Sequence, residues 1–234
     1  MRPHVRHVVS SPLPKKGQRG FTLIELMVAI AVMAMLALMS WRGIDGMARA
    51  QEHNRARGDA VLTLQTTLSQ WTADLDAMTQ LAGTSTIDWD GRLLRVTRRG
   101  TDDLRPVVYV VAWTLRTQAE GSYWSRWQSA PLTRRDEWQA AWRGAASWAQ
   151  GDASGSSAGG VDVRLMPVDS WQLYYFRNDT WSPAVGTDAL SGANPNAGAL
   201  PDGVRLVLNL PPGPALTGLL SRDWVRPSSS IPKT

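Results

Sequence analysis

The residues of this chain with the most chemistry to offer are a Gly20–Phe21 junction, the carboxylate of Glu25, and the uncharged apolar run from Leu26 to Trp41. Gly20 is small enough to enter a protease pocket. Hydrolysis of the bond after it would leave Phe21 with a new α-amine and make Glu25 the fifth residue of the shortened chain. On a helix that carboxylate lies roughly 6 Å from the amine. A carboxylate in hydrocarbon costs up to about 2.5–3.5 kcal/mol and calls for a partner, which the liberated amine of a neighbouring chain can supply.

The other candidates are weaker. Gly155-Ser156-Ser157-Ala158-Gly159 has the spacing of a nucleophile elbow, but it lies in a glycine–serine stretch with no strand before it and no helix after it. Beyond His4 and His7 the chain has only His53, and it has no cysteine. This set is poorly suited to a histidine-based triad or a zinc site, so no catalytic residue and no cofactor is expected. Asp88-Trp89-Asp90-Gly91 begins like a calcium loop, yet Arg92 and Arg95 arrive where further oxygen ligands should be. A turn into a strand accounts for it better, and no metal is expected.

The 234 residues carry a formal charge of +5, a balance that would suit a nucleic-acid partner if it were spread along the chain. Five of the twenty-five bases, Arg2, Arg6, Lys15, Lys16 and Arg19, fall within residues 1–20, where there is no acid. The remaining twenty bases meet twenty acids, leaving no broad field for phosphate. Arg92, Arg95, Arg98 and Arg99 could form a local basic patch, for which a solvated surface is the simpler meaning. The five bases of residues 1–20 instead suit a membrane helix whose N-terminus stays in the cytoplasm.

The elements that must position these residues follow from periodicity. Phe21–Trp41 is about the length that spans a ~30 Å hydrocarbon core. Val61, Leu64, Leu68, Trp71, Leu75 and Met78 then recur at spacings of three and four, continuing the helix as one apolar stripe. Arg55, Asp59, Gln65, Thr72 and Asp76 occupy its other face. Gly43, Gly46 and Gly58 lie between the two parts, each costing about 1 kcal/mol relative to Ala, and a frayed turn is expected there. The helix is expected to end near Gly83.

Beyond it the period changes to two. Strands are expected at 93–97, 106–115, 122–128, 171–177 and 204–210, with a helix at 136–150. Both faces of 106–115 are apolar, which marks a central strand covered on both sides. Residues 151–160 and 184–201 read as loops, and 227–234 as a flexible tail. Of the twelve tryptophans, Trp113, Trp138, Trp142 and Trp171 sit in regular elements and suit a core. Trp124, Trp127 and Trp181 fall near expected strand ends or turns, and are candidate partner contacts.

The run GFTLIELMVAIAVMAML, within about residues 17–40, resembles the class III prepilin leader and N-terminal helix of type IV pilins and type II secretion pseudopilins. Later segments extend the resemblance to the J-type minor pseudopilin family: Trp41-Arg42-Gly43-Ile44-Asp45, Val108-Tyr109-Val110, Trp171–Phe176 with Trp181, and Leu200–Leu206. The Trp-rich helix and the long glycine–serine loop depart from that pattern. The resemblance implies cleavage between Gly20 and Phe21 by the prepilin peptidase, N-methylation of Phe21, and pairing of Glu25 with a neighbour's N-terminus during assembly. It implies partners among the I-type and K-type minor pseudopilins and the major pseudopilin.

The expected fold class is α+β, pilin-like: a long N-terminal helix, its first half spanning the inner membrane, packed on mostly antiparallel β-sheet. The expected segments are a leader at 1–20, a membrane helix at 21–41, its periplasmic continuation at 42–82, a β-rich periplasmic domain at 83–226 and a tail at 227–234. The expected role is non-enzymatic, as a tip-complex subunit priming a type II secretion pseudopilus. The alternatives are a type IV minor pilin serving adhesion, motility or DNA uptake and, more remotely, a pilin-anchored glycan-binding module or enzyme.

Overall fold

A computed structural model of the chain describes residues 20–151, 159–184, 200–213 and 216–227. The expected leader up to residue 19, most of the expected 151–160 loop with its Gly-x-Ser-x-Gly run, nearly all of the expected 184–201 loop and the expected tail from residue 228 lie outside them. The chain forms two compact units, Met1–Gln51 and Glu52–Thr234. In the first, helix α1 begins; it runs Leu23–Asp76 and is long and apolar enough in its first part to cross a membrane. It stays helical through Gly43, Gly46 and Gly58, so the expected frayed turn is not formed. A Cβ at any of the three would meet nothing within 4 Å, so no close approach within the chain requires them.

Among its described residues, the second unit holds the end of α1, helix α2 (Arg135–Gln150) and nine strands in two antiparallel sheets. The five-stranded sheet is ordered β1-β2-β3-β4-β5, from Ile87–Trp89, Leu93–Asp102, Arg105–Gln118, Gly121–Gln128 and Val161–Pro167. The four-stranded sheet is ordered β7-β6-β8-β9, from Thr180–Pro183, Ser170–Arg177, Gly203–Leu210 and Gly218–Val225. Two-residue turns close the β2–β3 and β6–β7 hairpins, with Asp103, Leu104, Asn178 and Asp179 all at positive φ. Asn and Asp tolerate that region, which matches the right-handed twist of the flanking strands.

Strand β3 is central, as its two apolar faces require. Val111 and Trp113 face a core shared with Trp71 and Leu75 of α1 and with Leu173, Tyr175, Leu206 and Leu208 of the second sheet. Val110 and Ala112 face the other way, onto Trp138, Ala141, Ala145 and Trp148 of α2. The α1 stripe is buried as its spacing predicts: Trp71 and Leu75 are in the core, with Leu64, Leu68 and Met78 packed against it.

Two further expectations are corrected. Helix α1 stops at Asp76, six residues before the expected end, because the chain turns to pair with β2: Arg99 N–H donates to Ala77 O at 2.9 Å, and Thr79 N–H to Thr97 O at 3.0 Å. Trp124 and Trp127 are not exposed but 0% and 1% accessible. Each lies inside β4, which β5 covers along its other edge, and the two side chains point into opposite cores.

Candidate functional site

The N-terminal site is built by the start of α1. Thr22 stands just before the helix and Glu25 in its first turn. Thr22 N–H and Oγ1–H donate to Glu25 Oε2 at 3.2 and 3.0 Å, and Glu25 N–H donates back to Thr22 Oγ1 at 3.4 Å. Such a reciprocal cap satisfies amides that a helix start leaves unpaired, and it places a negative charge at the positive end of the helix dipole. Glu25 Oε1 takes no hydrogen bond among the described residues, so one carboxylate oxygen remains to accept a cation. Phe21 is 88% exposed, and the side chains from Leu23 to Met47 that make the apolar run are exposed as well. An apolar surface of this length needs lipid or neighbouring helices to cover it.

Trp181 is half-buried on the outer face of the second sheet. It packs on Phe176 with ring centroids 5.2 Å apart and carries the Arg205 guanidinium 4.3 Å above its ring. Asp223 on β9 holds that guanidinium through two hydrogen bonds of 2.7 Å. The hydrogen bond from Arg205, more than the simple attraction of its charge, holds the Asp223 carboxyl below the usual carboxylate range. The result is a rigid plate of aromatic and cation, a composition enriched at protein interfaces.

The acidic pair is divided between two structural jobs. Asp90 Oδ1 accepts the N–H groups of Arg92 and Leu93 at 2.9 and 2.8 Å, which makes the turn into β2. Asp88 accepts Arg95 Nη2 at 2.5 Å. Among the described residues, no three His, Cys, Asp or Glu side chains are grouped as metal ligands. His53 is exposed on α1. The arginines do not form one patch: Arg95 lies over Trp142 on the α2 side of the sheet, while Arg98 reaches the α1 side and binds Asp74.

Asp74 is the residue that reading by spacing missed. Its side chain is 1% exposed. Oδ1 accepts Arg98 Nη1 at 2.5 Å, Arg126 Nη2 at 2.9 Å and Gln70 Nε2 at 3.0 Å. Oδ2 accepts Arg126 Nε at 2.7 Å and Trp113 Nε1 at 2.9 Å. One helical carboxylate thus gathers β2, β3 and β4. The signal was present: Asp74 lies three residues after Trp71 and four before Met78, on the apolar stripe, where a charge must be paired.

Residues 15–41 match the family described as the prokaryotic N-terminal methylation motif. The chain is 25% identical over 221 residues to type II secretion system protein J of Escherichia coli, spanning 90% of this chain and 97% of that protein. Among solved structures it resembles a chain of the GspK–GspI–GspJ complex from the type 2 secretion system of enterotoxigenic E. coli. That likeness has a TM-score of 0.47 and 21% identity, covering 73% of this chain and 99% of the other.

Proposed function

We propose that this chain is a J-type minor pseudopilin of a type II secretion system, a non-enzymatic subunit anchored in the inner membrane by α1. The observation that carries this reading is the similarity to protein J along nearly the full length of both chains, joined to a methylation motif at residues 15–41. The prepilin peptidase cuts after Gly20 and Phe21 is N-methylated. The leader's five bases keep the N-terminus cytoplasmic, so the β-rich unit is periplasmic. With I-type and K-type minor pseudopilins the subunit forms the tip that primes assembly of the major pseudopilin, and Trp181 is a contact in that complex.

In this mechanism, Glu25 guides insertion. Its Oε1 accepts the Phe21 amine of a neighbour while Oε2 keeps its Thr22 cap, so the ion pair forms without uncapping the helix. Glu25→Ala leaves the neighbour's amine unpaired in a low-dielectric setting, a loss of about 3 kcal/mol or roughly a hundredfold in incorporation. Membrane fractions should then hold cleaved subunit that fails to co-purify with the assembled fibre; wild-type incorporation would count against the pairing. Gly20→Leu blocks entry to the peptidase pocket, so immunoblots should show precursor with only traces of mature chain. A mature-sized product would refute the junction.

The assignment is tested by an in-frame chromosomal deletion, with exoprotein measured in medium and periplasm and pilus function scored on the same strain. Exoprotein trapped in the periplasm with pili intact is the expected result. Normal secretion with lost motility or DNA uptake would instead make the chain a type IV minor pilin.

A further inference from the structure

Strand edges expose unpaired amides and carbonyls, and proteins ordinarily blunt them with short length, proline, bulges or paired charge. Among the described residues, three of the four outer strands are short or break register. Strand β1 has three residues, and β7 has four and ends at Pro183. Strand β5 shifts register opposite Trp124 and Ser125, and its Asp162 and Arg164 are tied to Arg116 and Glu120. Strand β9 is neither short, bulged nor interrupted by proline, and its one paired charge, Asp223, is tied inward to Arg205 of the adjoining β8. Its eight residues hold unbroken register with β8, from Gly203↔Val225 to Leu210↔Gly218, and among the described residues nothing pairs with its other edge.

The side chains of β9 say what would fit there. Leu220 and Trp224 point inward, opposite Leu208 and Val204. Leu219 and Val225 point outward and are 80% and 69% exposed. Arg222, between them in sequence and on the inward face, is exposed and makes no hydrogen bond or ion pair among the described residues, whereas its neighbour Asp223 is committed to Arg205. A strand laid along this edge therefore meets apolar, cationic and apolar positions three residues apart, on alternating faces.

We propose that β9 is the docking edge for an extended segment of another protein, added to the second sheet as a fifth strand. Its pattern is apolar-x-x-acidic-x-x-apolar: the carboxylate sits across from Arg222, and the apolar residues across from Leu219 and Val225. Main-chain hydrogen bonds give the affinity and the three side chains the register. A second copy of this chain is the wrong occupant. The twofold antiparallel register that sets Leu219 against Val225 also sets Arg222 directly against Arg222, and like charges opposite one another oppose pairing. This surface stands on β9 alone and holds whichever machine the subunit serves.

The test uses the full chain in detergent micelles and two synthetic peptides that adopt the pattern on a threonine background, one with Glu at the central position and one with Lys. Deuterium exchange is followed by mass spectrometry. The expected result is slowed exchange over Gly218–Val225 with the Glu peptide, about two- to fivefold tighter than with the Lys peptide, as a single cross-strand charge supplies. Arg222→Glu should invert the preference, and circular dichroism checks that this exposed substitution leaves the fold intact. Absence of protection, protection indifferent to peptide charge, or equal protection along β5 would overturn the proposal. So would a dimer in light scattering whose β9 amides are protected without peptide, which would give the edge to a second copy.

Discussion

Asp74→Ala should destabilise the β-rich unit by about 3–5 kcal/mol, the cost of leaving buried charge unpaired. The substitution deprives Arg98 and Arg126, whose side chains are 21% and 11% exposed, of their shared carboxylate. It also strips Trp113 Nε1 of its acceptor. In a unit of this size each kcal/mol shifts the melting temperature by about 2–4 °C, so a drop of about 6–20 °C is expected by circular dichroism on the full chain. The penalty lies in the orphaned charges, not in lost attraction. Replacing Asp74, Arg98 and Arg126 together with Leu, Met and Met should therefore recover much of the loss. A single variant melting with wild type, or a triple variant worse than the single, would show that the cluster does not act as a paired unit.

The second large effect is at Trp71. Its ring is fully buried, with centroids 5.3 Å from Trp113, 5.3 Å from Trp124 and 6.4 Å from Trp171. Trp71→Ala removes the centre of this indole cluster and leaves a cavity that rigid neighbours cannot close, which costs about 3–5 kcal/mol. Among the described residues its buried Nε1 has no acceptor, so there the side chain contributes packing and no hydrogen bond. Trp71→Phe should accordingly be much milder, because it also removes a desolvated N–H worth about 1–3 kcal/mol. Urea unfolding of both variants checks this ordering. Equal losses for Ala and Phe would mean the N–H is satisfied in solution.

What the sequence made legible was whatever repeats. The 3–4 spacing of Val61–Met78 foretold the buried stripe, and the doubly apolar run at 106–115 foretold a strand covered on both faces. The Gly20–Phe21–Glu25 spacing drew attention to the segment that the methylation motif matches, because few chains place a carboxylate in an apolar helix. Features set by partners distant in sequence were not legible. Trp124 and Trp127 looked peripheral because Val161–Pro167, whose burial pattern is mostly exposed, gave no sign of being the strand that covers β4. The end of α1 was placed too late because Ala77–Thr79 pair with β2, about twenty residues away. Asp74 was passed over for a related reason: its arginines come 24 and 52 residues later. Spacing rules see only the helix that carries it.

The Asp74 cluster also bears on mechanical load. An apolar helix lying on an apolar sheet can ratchet by a turn, about 5.4 Å, and find similar contacts again. Here a slip of one turn would bring Gln70 or Met78 to the two guanidiniums in place of Asp74, and neither carries a negative charge. Tension drawn along α1 is thus passed through one carboxylate into β2 and β4 at once, with both ion pairs loaded together. The end of the helix that carries Asp74 has a single seat on the sheet, and a pull on that end is taken up by β2 and β4 together.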